Sequence, residues 1–119
     1  MSSYGFPAAR RLLRAAAFRA VLDDRCGSKD KLFVVYAKAN GLARGRLGIT
    51  VSKKTSPKAV RRNLIKRLVR ESFRHHAADV SGLDIVAIAR QPCASAANKD
   101  ICQSLDRHWH QVNSQCRKS

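Results

Sequence analysis

Nine basic side chains, Lys53, Lys54, Lys58, Arg61, Arg62, Lys66, Arg67, Arg70 and Arg74, fall within the stretch KKTSPKAVRRNLIKRLVRESFR, against the single acid Glu71. The stretch carries net +8, half of the formal +16 of the 119-residue chain. Arg62, Lys66, Arg70 and Arg74 recur at every fourth position, so on a helix they line up with no acid between them. Like charges at that spacing repel, and an ordinary solvated face mixes signs. Such a line calls for a polyanion, and the partner the stretch predicts is nucleic acid.

Other chemistry finds little material. There is no repeat, Gly-rich phosphate loop, pair of carboxylates or serine nucleophile motif. Eight acids in the whole chain leave few ligands for a protein-borne metal nuclease site, which needs clustered carboxylates. No residue is therefore assigned a catalytic role, and none a metal. Cys102, His108, His110 and Cys116 look like a zinc set. On one helix, however, the two cysteines would lie about 21 Å apart and the histidines would point about 160° away from each other. With no secretory signal and no stapled framework of spacings, Cys26, Cys93, Cys102 and Cys116 read as free thiols of a cytoplasmic protein. No apolar run approaches the roughly 18 residues that span a bilayer, so no membrane role is expected. Arg10, Arg11, Arg14 and Arg19 have the look of a transit peptide, but the segment runs into the domain without a spacer.

The elements that must position the cations can be read in order. The length suits one domain over 1–119, with an irregular lead-in over 1–8 and a polar, frayed tail over 113–119. Leu12, Leu13, Ala16, Phe18, Val21 and Leu22 predict a short amphipathic helix over 10–22, followed by a loop over 23–30. Residues 31–38, KLFVVYAK, predict a strand with Leu32, Val34, Tyr36 and Lys38 on one face and Phe33, Val35 and Ala37 on the other. After the Asn40-Gly41 turn comes a strand over 46–52, with Leu47, Ile49 and Val51 on its apolar side. The basic helix should run over 57–77, with Pro57 in its first turn and Thr55 or Ser56 as its N-cap. On the helical wheel Val60, Leu64, Ile65, Leu68 and Val69 face the core, Phe73 lies at the margin, and Arg62, Asn63, Lys66, Arg67, Arg70 and Arg74 occupy the opposite half. A strand over 83–90 follows, most simply parallel to its predecessor across a β-α-β unit. Ile101, Leu105, Trp109 and Val112 then mark a C-terminal helix that begins at Ser95 or Asn98. One sheet face should be buried and the other left partly open.

The string from Val60 to Arg74, with Arg62-Asn63-Leu64-Ile65-Lys66-Arg67 at its centre, resembles the R-N-R helix of the protein subunit of bacterial ribonuclease P. Gly48-Ile49-Thr50-Val51-Ser52-Lys53-Lys54 matches the family's preceding strand. Phe6-Pro7, Arg11-Leu12-Leu13, Phe18, Val21, the strand Ile85 to Arg90, and Trp109 extend the likeness over nearly the whole chain. The resemblance implies a two-layer α/β fold of α+β type, αβββαβα-like and ribosomal-protein-S5-domain-2-like, with a left-handed β-α-β crossover. It implies a non-catalytic subunit whose partner RNA, with magnesium, removes the 5′ leader of precursor tRNA. It also implies that the protein holds no cofactor of its own and needs no obligate protein partner. By resemblance, Arg62, Asn63, Lys66, Arg67 and Arg70 contact the catalytic RNA on a surface that Lys53, Lys54, Arg61 and Arg74 extend. Phe18 and Tyr36, with Lys38 beside them, match a cleft that holds the single-stranded leader. The family's third motif letter is arginine; here it is Leu64, at the seam between the two helix faces.

Two further readings stay beside this one. A structural RNA-binding protein of ribosomal type would share the charge without the leader cleft. An autonomous nuclease would need the carboxylates that the chain lacks.

Overall fold

β-Branched and aromatic residues at alternating positions make the strands of this protein, and two longer amphipathic helices cover one side of the sheet they form. The computed structural model describes residues 15–116. In chain order these are α1 (Ala15–Asp24), β1 (Gly27–Lys29), β2 (Phe33–Ala39), β3 (Arg46–Thr50), α2 (Ala59–His75), the single turn α3 (Ala77–Val80), β4 (Leu83–Ala89), a 3-10 turn at Gln91–Ala94 and α4 (Asn98–Gln115). The four strands lie in the order β1-β2-β4-β3. β1 and β4 flank β2 antiparallel, while β3 runs parallel to β4 across the crossover made by α2 and α3. The expected β-α-β unit is present, and the architecture is α+β.

The sheet separates two cores. Phe33, Val35, Ala37, Leu47, Leu83, Ile85 and Ala87 face α2 and α4 and pack with Ile65, Val69, Phe73, Ile101, Leu105, Trp109 and Val112. Trp109 is fully buried, meets Phe73 edge-on at 5.7 Å, and donates its indole N–H to Ser72 Oγ at 2.8 Å. On the other side α1 lies against β2 and β4, and Val21 packs on Val86 with Ala17, Phe18, Leu22, Tyr36 and Ile88 around them. The alternation read along β2 thus holds, except that Leu32, just before the strand, turns into the larger core.

Several expectations are corrected. The stretch 23–30 is not all loop: α1 continues to Asp24, and Gly27–Lys29 forms an edge strand. Gly27 is required there, because a Cβ would meet the Val35 carbonyl and stand 2.9 Å from Cδ1 of Tyr36. Gly41, at φ +71°, supplies the left-handed turn that the Asn-Gly pair predicts. α2 starts at Ala59 with Lys58 as its N-cap and no side-chain cap. Thr55 and Ser56 are buried instead, and Thr55 Oγ1 donates to the Ala89 carbonyl at 3.0 Å, tying the β3–α2 connection to the end of β4. The helix ends at His75 rather than near residue 77.

The C-terminus is also firmer than expected. α4 continues to Gln115, and Cys116 is bonded to Cys26, so residues 113–116 are not a frayed tail and two of the four thiols are not free. The cause is the packing of α4 along β1, which brings together cysteines that are 90 residues apart. Cys93 and Cys102 are free. Residues 1–14 and 117–119, which include the irregular lead-in, positions 10–14 of the expected N-terminal helix with Leu12 and Leu13, and the end of the expected tail, lie outside the described residues. Among the described residues no helix is long and apolar enough to cross a membrane.

Candidate nucleic-acid interface

α2 is held by a burial stripe of Ile65, Val69, Ser72 and Phe73, centred one position later in the helical cycle than the wheel suggests. Two residues change role as a result. Val60, expected on the core face, is 83% exposed among the outward residues. Arg61 is turned inward: one guanidinium nitrogen, Nη2, donates to the carbonyl oxygens of Cys93 and Ala96, both at 2.7 Å, and its Nε is buried. These carbonyls, in and just after the 3-10 turn, have a cation as their donor, so Arg61 clamps α2 to the segment after β4. Phe73 is fully buried at the centre of the larger core, not at a margin.

The remaining cations stay on the surface. Lys53, Lys54, Lys58, Asn63, Arg67 and Arg74 are exposed; Arg62, Lys66 and Arg70 are half-buried along one flank of the helix. Arg62 reaches back to donate to the Ser56 carbonyl at 3.0 Å, and Arg74 lies 3.6 Å from Glu71, an exposed pair of little energetic weight. Leu64 and Leu68 are half-buried at the boundary, which is where the seam reading places Leu64. The first turn of α2 has no acid and no side-chain cap, so the positive end of the helix dipole adds to the surrounding cations. The result is a helix side of nearly one sign.

The other sheet face gathers the second group of residues. Tyr36 is paired in register with Val86 and Gly27, and Val86 in turn with Gly48. Tyr36 and Phe18 are both half-buried in the small core beneath α1. Lys38 is exposed one repeat along β2. A depression of about 470 Å³ opens beside Tyr36 and is lined by Arg19, Leu22, Asp23, Arg25, Tyr36 and Ile88. Arg19 and Arg25 are therefore neighbours of the aromatic site that sequence reasoning did not single out. Arg25 has a left-handed backbone, φ +57°, which nothing in its residue type announces.

Lys38 is also one end of a row that runs Lys38, Asp84, Arg46 across β2, β4 and β3. Asp84 is 7% exposed and accepts from Nε and Nη2 of Arg46, at 2.8 and 2.7 Å, and from the Asn40 amide at 2.8 Å. The hydrogen bonds from Arg46 to Asp84 raise the guanidinium's pKa further. Asp84 is thus neutralised within the protein.

The polar groups of α4 serve the fold. Asp30 accepts the backbone N–H groups of Leu32 and Phe33 and the Ser104 hydroxyl, the last at 2.6 Å. Burial alone would raise its carboxyl pKa, but the hydrogen bonds from Ser104, Phe33 and Leu32 outweigh it and hold the group well below the usual carboxylate range. His108 is 2% exposed; its Nδ1 is 2.8 Å from Ser28 Oγ, and its Nε2 lies 3.2 Å from Asp30 without the alignment of a hydrogen bond. Burial lowers its pKa, although Asp30 pulls the other way. His110 stands near His76, whose two ring nitrogens face Asp106 and Asp79 at 2.9 and 3.3 Å. His108, His110 and Cys116 thus have separate partners, and Cys102 is a free thiol. Among the described residues no group of three or more His, Cys, Asp or Glu side chains is gathered to hold a metal.

Comparison with known proteins bears on what this arrangement belongs to. The family model for ribonuclease P matches residues 6–113. The ribonuclease P protein component of Methylococcus capsulatus is 43% identical over 116 residues, covering 98% of this chain and 91% of that protein. Its counterpart in a Marinomonas species is also 43% identical, covering 94% and 86%. The solved RNase P protein of Staphylococcus aureus superposes with a TM-score of 0.77 at 37% identity, over 83% of this chain and 91% of that one. The Thermotoga maritima RNase P protein gives 0.72 at 32% identity, over 82% and 92%.

Proposed function

Because the chain belongs to the ribonuclease P protein family, and so is a subunit of the RNA-based enzyme that processes tRNA, we propose that it supplies binding surfaces and no catalytic group. As a protein component it associates with the ribonuclease P RNA. In this reading the outward side of α2, with Arg62, Asn63, Lys66, Arg67, Arg70 and Arg74 and with Lys53 and Lys54 beside them, grips that RNA. The face carrying Phe18, Tyr36 and Lys38 takes the single-stranded leader of precursor tRNA. Magnesium belongs to the RNA, no further protein subunit is required, and the site of action is the cytoplasm.

One observation carries the reading: α2 turns Arg61 inward onto two carbonyls and leaves a surface of nearly one sign outward. Such a surface releases counterions when it neutralises phosphates, and it screens the mutual repulsion of two RNAs brought together. An aromatic side chain on the second face stacks on bases without demanding a sequence. The family match sets aside a ribosomal-type protein with no part in processing.

Reconstitution with the cognate catalytic RNA and precursor tRNA tests the proposal. Adding protein should lower the magnesium needed for cleavage at the mature 5′ end, and protein freed of RNA should not cleave. An unchanged magnesium requirement, or cleavage by the protein alone, would overturn it.

A further inference from the structure

We infer that Tyr36, Arg25 and Arg19 form a single nucleotide seat, in which the Tyr36 ring carries a base of the leader and Arg25 holds the phosphate next to it. The inference rests on the leader reading of the Tyr36 face and adds to it a phosphate contact from the corner between α1 and β1.

Three observations converge on Arg25. The first is place: Arg19, Arg25 and Tyr36 line one depression of about 470 Å³, with Leu22 and Ile88 as its apolar part and Asp23 as its one acid. A stacking ring with cations beside it is the combination that binds single-stranded nucleic acid without reading its sequence. The second is conformation. Arg25 is the only non-glycine residue with positive φ among the described residues. A left-handed backbone is sterically disfavoured for an L-residue. Such strain persists where the surroundings enforce it, and it gathers at binding sites. The third is attachment: the next residue, Cys26, is bonded to Cys116 at the end of α4, and its carbonyl accepts the Ala37 N–H at 2.9 Å. The corner is thus fixed from α4 on one side and from β2, one residue beyond Tyr36, on the other. Gly27 completes the arrangement, since its missing Cβ leaves room for the Tyr36 ring.

The strain also provides the test. Arg25→Gly removes the cation while giving the backbone a residue at ease at φ +57°, so the fold should be unharmed or firmer. Affinities of the reconstituted holoenzyme for precursor tRNA and for mature tRNA are measured across a range of salt. Arg25→Gly should cut the preference for precursor several-fold and lower the salt slope for precursor by about 0.7, the value for one single-strand phosphate, with no change for mature tRNA. Arg25→Lys should retain the slope. Tyr36→Ala should reduce the preference without altering the slope. If Tyr36→Ala reduces the preference but Arg25→Gly changes neither quantity, the seat is wrong and the leader reading stands. If Tyr36→Ala leaves the preference intact, the leader reading itself fails. A melting temperature for Arg25→Gly well below that of the parent would instead make Arg25 a structural residue and overturn the inference.

Discussion

Replacing Arg61 and Arg67 in turn separates a cation that holds the fold from one that, in the proposed reading, faces RNA, although they sit six residues apart on one helix and look alike in sequence. In Arg61→Gln, two short charge-assisted hydrogen bonds to the Cys93 and Ala96 carbonyls are lost. Bonds of that kind contribute about 1.5–3 kcal/mol each. The side chain is only half-buried, so the lower end applies and the loss should be about 2–3 kcal/mol. For a domain of this size that lowers the melting temperature by roughly 10 °C. The salt dependence of RNA binding should not move, because this cation is turned inward onto the two carbonyls. Arg67→Gln should do the reverse: stability within about 0.5 kcal/mol of the parent, and the slope of log K against log salt smaller by about 0.7–0.9. Adding Lys66→Gln should roughly double the change in slope. Thermal melts followed by circular dichroism and filter binding from low to moderate salt measure both quantities on the same preparations. If Arg61→Gln reduced the slope as Arg67→Gln does while melting like the parent, the inward placement of Arg61 and the division of labour built on it would be refuted.

Three further outcomes follow from the packing of α4. Cys116→Ser removes a link that closes a loop of 90 residues, and loop-closure entropy puts the loss at about 4–5 kcal/mol; urea midpoints should fall to the value the parent shows in reductant, and coincidence of all three midpoints would refute the link. His108 is held neutral by burial with its folded pKa below the unfolded value, so its contribution is complete above about pH 6.5 and is lost as pH falls through the folded pKa, at up to about 1.4 kcal/mol per pH unit. Unfolding free energies between pH 7.5 and 5 should decline less steeply in His108→Gln than in the parent. Burial raises both free thiols, Cys93 to about 11, but only Cys93 is wholly enclosed, so a thiol reagent at pH 8 should label the half-buried Cys102 in the native protein and reach Cys93 only on unfolding, as peptide mapping would report.

What the sequence disclosed about this fold is what depends on local pattern. The alternation along β2 sorted Phe33, Val35 and Ala37 from Tyr36 and Lys38, and the fourfold recurrence of cations sorted the outer half of α2, because period and polarity are properties of a short window. Tertiary contacts set the rest. Val60 and Arg61 exchanged sides because the carbonyls of Cys93 and Ala96, some 32 and 35 residues downstream, take the Arg61 guanidinium. Thr55 had the propensity of a cap, but the Ala89 carbonyl at the end of β4 engages its hydroxyl. Cys26 and Cys116 could be paired only once α4 was seen to pack on β1, and the left-handed Arg25 carries no local signature at all.

The placement of the acids bears on how so basic a chain can fold. Asp84 neutralises Arg46; Asp30 serves Ser104 and lies against His108 and Arg107; Asp79 and Asp106 flank His76. Asp84 joins β4 to β3, Asp30 ties the start of β2 to α4, and Asp79 and Asp106 tie the end of α2 to α3 and α4, while only Glu71 lies on α2. Intramolecular neutralisation is therefore concentrated among the packed elements, while the outward side of α2, the proposed RNA-binding surface, holds a single acid. Repulsion among the outward cations of α2 then acts against the free protein, and in the proposed reading the partner's phosphates relieve it on binding. Salt acts on the two states with opposite signs: by screening, it eases the free subunit, and by competing for phosphate, it loosens the complex. The charge excess is thus a property of an assembly whose other half is the polyanion, and α2 is the helix on which that excess is left exposed.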